Sequence, residues 1–104
     1  QTVDKILRRF VSKINDTCRS SDTIVRWNGE EFLLICPDTK LDQAVEVADK
    51  IRHCIQETEW PNNITLTCSS GVAQMYDEDL NNLIARANKA LYSVKNTGSN
   101  RTAA

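Results

Sequence analysis

A chain of 104 residues, with 40% hydrophobic and 26% charged residues, has the size and composition of one globular domain and leaves no room for a second. Its net charge of −1 argues against a dedicated nucleic-acid-binding protein, which would present a basic face, but is compatible with a nucleotide ligand. No apolar run approaches the roughly 20 residues of a membrane-spanning helix. We therefore expect a cytoplasmic domain, with membrane anchoring through an upstream segment of the full-length protein left open.

The first predicted elements are a helix and a β-hairpin. Two strands over 23–27 and 31–36 are joined by Asn28-Gly29, the dipeptide most typical of a tight hairpin turn. Both central residues of such a turn need positive φ, which Asn and Gly tolerate. Apolar residues at helical spacing predict an amphipathic helix over 4–17, namely Val3, Ile6, Leu7, Phe10, Val11 and Ile14.

The rest of the chain predicts a helix, a strand and a helix. Asp38 or Thr39 is the expected N-cap of a second helix, whose inward residues are Leu41, Ala44, Val45, Ala48, Ile51 and Ile55. The segment 64–73 alternates as a strand. Residues 77–79 cap a final helix that ends before Gly98, with its inward residues being Leu80, Leu83, Ile84, Ala87 and Leu91. The order α-β-β-α-β-α, with helices covering a mostly antiparallel sheet, makes the fold class α+β.

The cysteines show neither metal-site spacing nor the pattern of a disulfide framework. There is no Cys-x-x-Cys pair, and His53 is the only histidine, so no Cys2His2 or Cys3His zinc set can form. A free cysteine in a helix or strand behaves as a small hydrophobe. We therefore expect reduced thiols at all four positions, Cys18, Cys36, Cys54 and Cys68.

Two adjacent carboxylates at the hairpin tip are the strongest chemical signal in the chain. Glu30 and Glu31 directly follow Gly29, and because neighbouring strand side chains point to opposite faces, the two bracket the tip. Gly29 lets a ligand approach the backbone, and paired carboxylates suit a hard cation that carries phosphates. The alternative is a solvent-facing turn that happens to be acidic.

Four segments resemble motifs of the GGDEF family, the diguanylate cyclases. Segment 28–32 (Asn-Gly-Glu-Glu-Phe) resembles the Gly-Gly-Asp/Glu-Glu-Phe motif, and segment 19–22 (Arg-Ser-Ser-Asp) resembles the Arg-x-x-Asp product-inhibition motif before it. Segment 66–73 resembles the strand motif T-x-S-x-G-V-A, and segment 87–101 resembles the closing A-D-x-A-L-Y-x-A-K-x-x-G-R-N. The motifs keep the family's order across almost the whole chain, which is identified as a member of the family.

The resemblance implies the nucleotidyl cyclase or polymerase-palm type of α+β fold. It covers roughly the C-terminal two-thirds of the family's domain. Residues 1–104 are thus expected to be a partial GGDEF domain without its N-terminal strand and first helix, which carry a metal-binding Asp and a guanine-reading Asn in the family. An N-terminal sensory or regulatory domain is expected in the full-length protein.

The reaction implied by the resemblance condenses two GTP molecules into cyclic di-GMP and releases pyrophosphate, a nucleotidyltransferase step of bacterial signalling. Each of two facing domains holds one GTP, which implies a homodimer, with Mg²⁺ or Mn²⁺ as cofactor. Glu30 would ligate the metal and help to deprotonate the 3′-hydroxyl, with Glu31 supporting the metal. The substrate contacts implied in the same way are Asp4, Asn28, Gly29 and Lys95.

The Arg-x-x-Asp segment implies an inhibitory cyclic di-GMP site at Arg19 and Asp22. Arg offers a planar fork to phosphate and guanine edges, and Asp accepts hydrogen bonds from guanine. The alternatives are a surface i,i+3 ion pair here and, for Lys95, a cation that serves only the helix dipole. Asn28 stands for the motif's first Gly and Ser99 for the Arg of Gly-Arg-Asn. The alternative function is therefore a catalytically degenerate domain that acts as a receptor for cyclic di-GMP or GTP.

Overall fold

The structure is a computed structural model that describes residues 2–28 and 31–104. Its helices and strands in chain order are α1 (Thr2–Thr17), β1 (Thr23–Asn28), β2 (Glu31–Ile35), α2 (Leu41–Glu57), a 3₁₀ turn (Pro61–Asn63), β3 (Ser70–Gly71), α3 (Leu80–Asn96) and β4 (Thr102–Ala103). β1 pairs antiparallel with β2, and β3 pairs parallel with β4 in a separate two-stranded sheet. The α+β class is confirmed. None of the helices in the described part of the chain is long and apolar enough to span a membrane.

The core lies between α1 and α2. Ile14 of α1 and Ile51 and Ile55 of α2 are buried together with Trp60, and Ile55 has no exposed surface. The indole N–H of Trp60 donates to the carbonyl oxygen of Ile55 at 3.0 Å, which satisfies the one polar group of this cluster's side chains. The apolar periodicity that predicted both helices therefore marks residues that pack, except Val3 in the first turn of α1, which is 57% exposed.

The β1–β2 hairpin lies across this core. Ile24 of β1 pairs with Leu34 of β2, and both side chains pack against the buried cluster. The rings of Phe32 in β2 and Phe10 in α1 have centroids 5.1 Å apart, close enough for a favourable aromatic contact. Because alternate side chains point to the same face of a strand, Phe32 and Leu34 together fix β2 to the helical layer.

The hairpin turn differs from the sequence prediction by one position. β1 continues through Asn28, which pairs with Glu31, and the ladder shifts register between Arg26 and Asn28. The residues between the paired positions are Gly29 and Glu30, which lie outside the described residues. The prediction that Asn28 occupies a central turn position is wrong, because the irregularity in the ladder carries β1 one residue further.

α2 begins later than predicted. Lys40 is the N-cap residue, whereas Asp38 and Thr39, the predicted N-caps, precede it. The side-chain oxygen of Gln43 accepts the Lys40 N–H at 3.2 Å, and that of Gln74 accepts the next N–H along the chain at 2.9 Å. Side chains from within the helix and from a distant loop thus accept the first N–H groups, which a capping hydroxyl or carboxylate was expected to accept.

The predicted strand over 64–73 is mostly irregular. Ladder pairing is confined to β3, which pairs with β4, a strand that the sequence did not predict. The alternation itself is present, since Leu66 and Cys68 pack against the core and Thr67 between them is exposed. A ladder needs a partner strand as well as alternating side chains, and β4 provides one for two residues.

α3 packs directly onto β3 because Gly71 has no side chain. A Cβ at this position would collide with the carbonyl oxygen of Ala87 and with the backbone nitrogen of Leu91. The Gly of the segment that resembles T-x-S-x-G-V-A therefore has a packing role here, which is to let the helix backbone touch the strand.

The residues that flank α3 match the sequence prediction, but the first residue of the helix does not. Asp79 is the N-cap, and its carboxylate accepts the Asn82 N–H at 2.8 Å. Gly98 follows the helix with φ of 117°, a conformation that favours glycine. Leu80 was expected to face inward but is 53% exposed. It precedes Ala87, where α3 meets the strand, by almost two turns, so it lies beyond the packed part of the helix.

Candidate functional site

The hairpin has two ends with different chemistry. We call residues 28–31 the hairpin tip, and residues 19–23 together with 35–39 the hairpin base. β1 has six residues, so the ends are roughly 17 Å apart at about 3.3 Å per residue. Two residues of the tip, Gly29 and Glu30, lie outside the described residues, and the predictions made for them stand as predictions.

At the tip, Glu31 is brought to Lys95. Glu31 opens β2 and Lys95 lies in the last turn of α3, and the Lys95 Nζ is 3.7 Å from the Glu31 Oε2. The Glu31 side chain is 35% exposed and the Lys95 side chain is 55% exposed, so the ion pair is reachable from solvent. Such an exposed pair contributes at most about 1 kcal/mol to stability, because both charges remain hydrated. The pair is more informative about chemistry, since it puts a carboxylate and an ammonium group beside one another.

Asn28 and Asp4 are the other described residues that were predicted to bind substrate. The backbone of Asn28 lies opposite that of Glu31, because the two residues pair in the ladder. Asp4 lies exposed in the first turn of α1, and no contact among the described residues joins it to Glu31 or Lys95. Ser99, which stands where the resembling motif has Arg, lies in the turn after α3, where its N–H donates to the Val94 carbonyl at 3.1 Å.

At the base, Arg19 and Asp22 form a tight turn after α1. The Asp22 N–H donates to the Arg19 carbonyl at 3.0 Å, and the Arg19 N–H donates to the Asp22 Oδ2 at 3.0 Å. The Arg19 Nη2 lies 3.6 Å from the Asp22 Oδ1. The two side chains differ sharply in exposure, at 58% for Arg19 and 2% for Asp22. The carboxylate thus faces the protein while the guanidinium faces solvent.

Two residues after β2 complete the surroundings of Arg19. Its Nη2 donates to the Pro37 carbonyl at 3.1 Å and to the Thr39 Oγ1. Thr39 was considered from the sequence only as a helix cap, so its contact with Arg19 was missed. The available signal was the hairpin register, because the antiparallel pairing of β1 with β2 places the residues before β1 beside those after β2.

The thiol of Cys36 borders the same carboxylate. Cys36 follows the last ladder residue of β2, and burial raises the pKa of its thiol from 9.0 to about 11, with the charge of Asp22 adding to the effect. Burial also raises the pKa of Cys18 and, to about 11, that of Cys68. All four cysteines are free. Thiols with pKa values raised in this way stay protonated at neutral pH and are poor nucleophiles and metal ligands.

No group of three or more His, Cys, Asp or Glu side chains within 2–28 and 31–104 lies close enough together to hold a metal ion. Glu30 falls outside those ranges, so the metal ligands predicted from the sequence are represented here by Glu31 alone. Its carboxylate is partly exposed and offers the hard oxygen atoms that Mg²⁺ and Mn²⁺ prefer, which fits a cation shared with substrate phosphates.

Comparison with known proteins connects the chain to one family. The family described as "Diguanylate cyclase, GGDEF domain" matches residues 1–101. The chain is 35% identical over 102 residues to the diguanylate cyclase DgcM of Escherichia coli K12, a match that covers 97% of this chain and 25% of that protein. The chain therefore spans about a quarter of the length of this curated relative.

Two solved structures have the same fold. The active GGEEF domain of a diguanylate cyclase from Vibrio cholerae superposes with a TM-score of 0.92 at 25% identity, covering 98% of this chain and 67% of that one. The GGDEF domain of DgcB from Caulobacter crescentus, in complex with cyclic di-GMP, superposes with a TM-score of 0.86 at 27% identity, covering 96% of this chain and 63% of that one.

Proposed function

Since the chain belongs to the GGDEF family of diguanylate cyclase domains, we propose that the full-length protein condenses two GTP molecules into cyclic di-GMP and releases pyrophosphate. The observation that carries the proposal is the meeting of Glu31 and Lys95 at the hairpin tip, 3.7 Å apart. A metal-bound triphosphate presents positive and negative charge side by side. The carboxylate and the ammonium group supply the opposite charge for each.

Lys95 is proposed to bind the triphosphate. Its side chain is 55% exposed, and its ion pair with Glu31 is of the weak, solvated kind, so a phosphate oxygen can replace the carboxylate at little cost. Gly29 is proposed to let phosphate oxygens approach backbone N–H groups, and Asp4 and Asn28 are proposed as further substrate contacts. Their part in the reaction is to position the nucleotide.

Glu30 and Glu31 would hold Mg²⁺ or Mn²⁺. A bound divalent cation supplies charge neutralisation for the phosphates during transfer. The carboxylate of Glu30 is proposed in addition to accept the proton of the 3′-hydroxyl, which attacks the α-phosphate of the second GTP. Because each hydroxyl attacks the nucleotide of the other domain, two copies of the domain must face one another, and a homodimer is part of the proposal.

Arg19 is proposed to bind cyclic di-GMP as an inhibitor. Its side chain is 58% exposed at the hairpin base, away from the tip, and its guanidinium offers planar N–H groups to phosphate or guanine oxygens. The Asp22 side chain is only 2% exposed, so its contribution supported by this geometry is to hold the turn and the charge of Arg19. A ligand at the base can inhibit only by fixing the domains apart or by stiffening the hairpin.

A receptor without turnover is the second candidate function. The exposed Arg19 lies at the base, away from the tip, so a domain without turnover can keep this binding group, and Asn28 and Ser99 stand where the family's motifs have Gly and Arg. In this case the domain would report the level of cyclic di-GMP to a partner or to another part of the full-length protein.

Incubation of the full-length protein with GTP and Mg²⁺ tests the proposal. We expect cyclic di-GMP and pyrophosphate to appear in a ratio of one to two. Absence of both products, in a protein that still binds cyclic di-GMP, would exclude the enzyme and leave the receptor.

A further inference from the structure

A closed set of hydrogen bonds fixes Arg19 at the hairpin base, and Thr39 is its least expected member. We propose that Thr39 is a positioning residue for the Arg19 anion site, an inference that rests on the proposed inhibitory binding of cyclic di-GMP. Thr39 itself is not proposed to touch the ligand. It holds the guanidinium in the orientation in which the ligand is bound.

The hydroxyl of Thr39 has two bonds in this set. It accepts a hydrogen bond from the Arg19 Nη2, and it donates to the Pro37 carbonyl oxygen at 2.9 Å. The same Nη2 also donates to the Pro37 carbonyl at 3.1 Å. The three groups therefore form a triangle in which the hydroxyl serves as both acceptor and donor, a dual role that Thr39→Ser keeps and Thr39→Val removes.

Asp22 holds the guanidinium from the other side. Its Oδ1 is buried without a hydrogen-bond partner and lies 3.6 Å from the Arg19 Nη2, while its Oδ2 accepts the Arg19 backbone N–H at 3.0 Å. A buried carboxylate is stabilised by a cation at this distance. All of these side-chain contacts converge on one nitrogen, Nη2. Among the described contacts they leave the Nη1 and Nε donors of Arg19 to a ligand.

Fixing the guanidinium lowers the cost of binding. A free arginine side chain loses substantial rotamer entropy when a ligand orders it, and a side chain already ordered by the protein has less to lose. Removal of the Thr39 hydroxyl deletes two bonds of the triangle and leaves the guanidinium held, among the described residues, only by the Pro37 carbonyl and by Asp22, so it is less firmly oriented. Since a neutral hydrogen bond contributes about 1 kcal/mol net, we expect the affinity for cyclic di-GMP to fall about fivefold to tenfold.

Calorimetric titration of the full-length protein with cyclic di-GMP tests the proposal with four variants. Thr39→Val removes the hydroxyl and keeps the shape, whereas Thr39→Ser keeps the hydroxyl. Thr17→Val is a matched control near the base, since the Thr17 hydroxyl donates to the Lys13 carbonyl at 3.0 Å. Arg19→Ala removes the site itself.

We expect Thr39→Val to bind about fivefold to tenfold more weakly than wild type, and Thr39→Ser and Thr17→Val to bind within about twofold of it. Wild-type or tighter binding by Thr39→Val would overturn the role of Thr39, as would equal weakening in Thr39→Ser, because the serine variant shows whether the hydroxyl is responsible. Arg19→Ala separates this failure from that of the proposed function. If Arg19→Ala binds as wild type does, the inhibitory site is not at the base.

Discussion

The two ends of the hairpin are built in opposite ways. At the tip, a solvated ion pair of 3.7 Å between described residues joins Glu31 to Lys95. At the base, a buried carboxylate, a hydroxyl and a backbone carbonyl all converge on Arg19. This exposed ion pair is therefore given up easily to a ligand, whereas the base presents a group that the protein has already oriented. The difference agrees with the proposed division, in which the tip carries the chemistry and the base binds the inhibitor.

The largest expected effect separates the tip from the base. Glu30→Ala in the full-length protein should lower cyclic di-GMP synthesis by about a hundredfold or more, because it removes the proposed metal ligand and acceptor of the 3′-hydroxyl proton. Glu46→Ala, which removes an exposed carboxylate from α2, is the matched control. Initial rates measured with both variants decide the matter. Turnover near wild type in Glu30→Ala would withdraw the catalytic role from this residue.

A smaller effect is expected for the cation of the tip. Lys95→Ala should raise the KM for GTP about tenfold, because a hydrogen bond from a charged group to phosphate is worth about 1.5 kcal/mol. Lys89→Ala removes an exposed lysine from the same helix and should leave the KM within about twofold of wild type. Equal KM values for Lys95→Ala and Lys89→Ala would mean that Lys95 serves only the helix dipole and its pair with Glu31.

Alkaline pH should lower the stability of the protein through the Cys36 thiol at the hairpin base. The pKa of the Cys36 thiol is raised from 9.0 to about 11, so between these values the unfolded chain has lost a proton that the folded protein retains. The free energy of unfolding must therefore fall as pH rises from about 9 to about 11. In Cys36→Ala, urea titrations over this range should show a shallower fall than in wild type. Identical slopes of unfolding free energy against pH in the two proteins would show that the Cys36 thiol has no part in the pH dependence.

The smallest effect is expected at Asn28. Asn28→Gly should preserve or modestly raise turnover, since glycine restores the first residue of the family's motif and leaves more room for the nucleotide that we propose to bind at the tip. The position in β1 limits the gain, because glycine weakens a strand by up to about 1 kcal/mol. A large loss of turnover with unchanged thermal stability would assign Asn28 a positive role.

The sequence predicted the parts of the fold that are decided by local pattern. Apolar spacing placed α1 and α2, and the N-cap of α3, Asp79, falls within the predicted capping segment 77–79. The errors arise where the structure of a segment depends on a partner that is distant in sequence. The segment 64–73 alternates like a strand but pairs only where β4 reaches it, and α2 starts late because the Gln74 side chain, from a distant loop, accepts one of its first N–H groups.

The site was predictable in its residue types but not in its exposure. Motif resemblance singled out Arg19, Asp22 and Lys95, yet it gave no sign that Asp22 is buried while Arg19 is exposed. Nor could it show that Lys95 pairs with Glu31 or that Thr39 holds Arg19, because these contacts depend on how α3 and the segment after β2 fold back on the hairpin. Such placements follow from tertiary packing and leave no local trace.

Calorimetry with cyclic di-GMP on full-length Glu30→Ala and Arg19→Ala tests most directly whether the hairpin has two separate functional ends. The account predicts that Glu30→Ala, although it has lost turnover, binds cyclic di-GMP with a micromolar Kd, about −8 kcal/mol, as wild type does. It predicts that Arg19→Ala loses this binding. Loss of binding in Glu30→Ala together with wild-type affinity in Arg19→Ala would contradict the account and place the ligand at the tip.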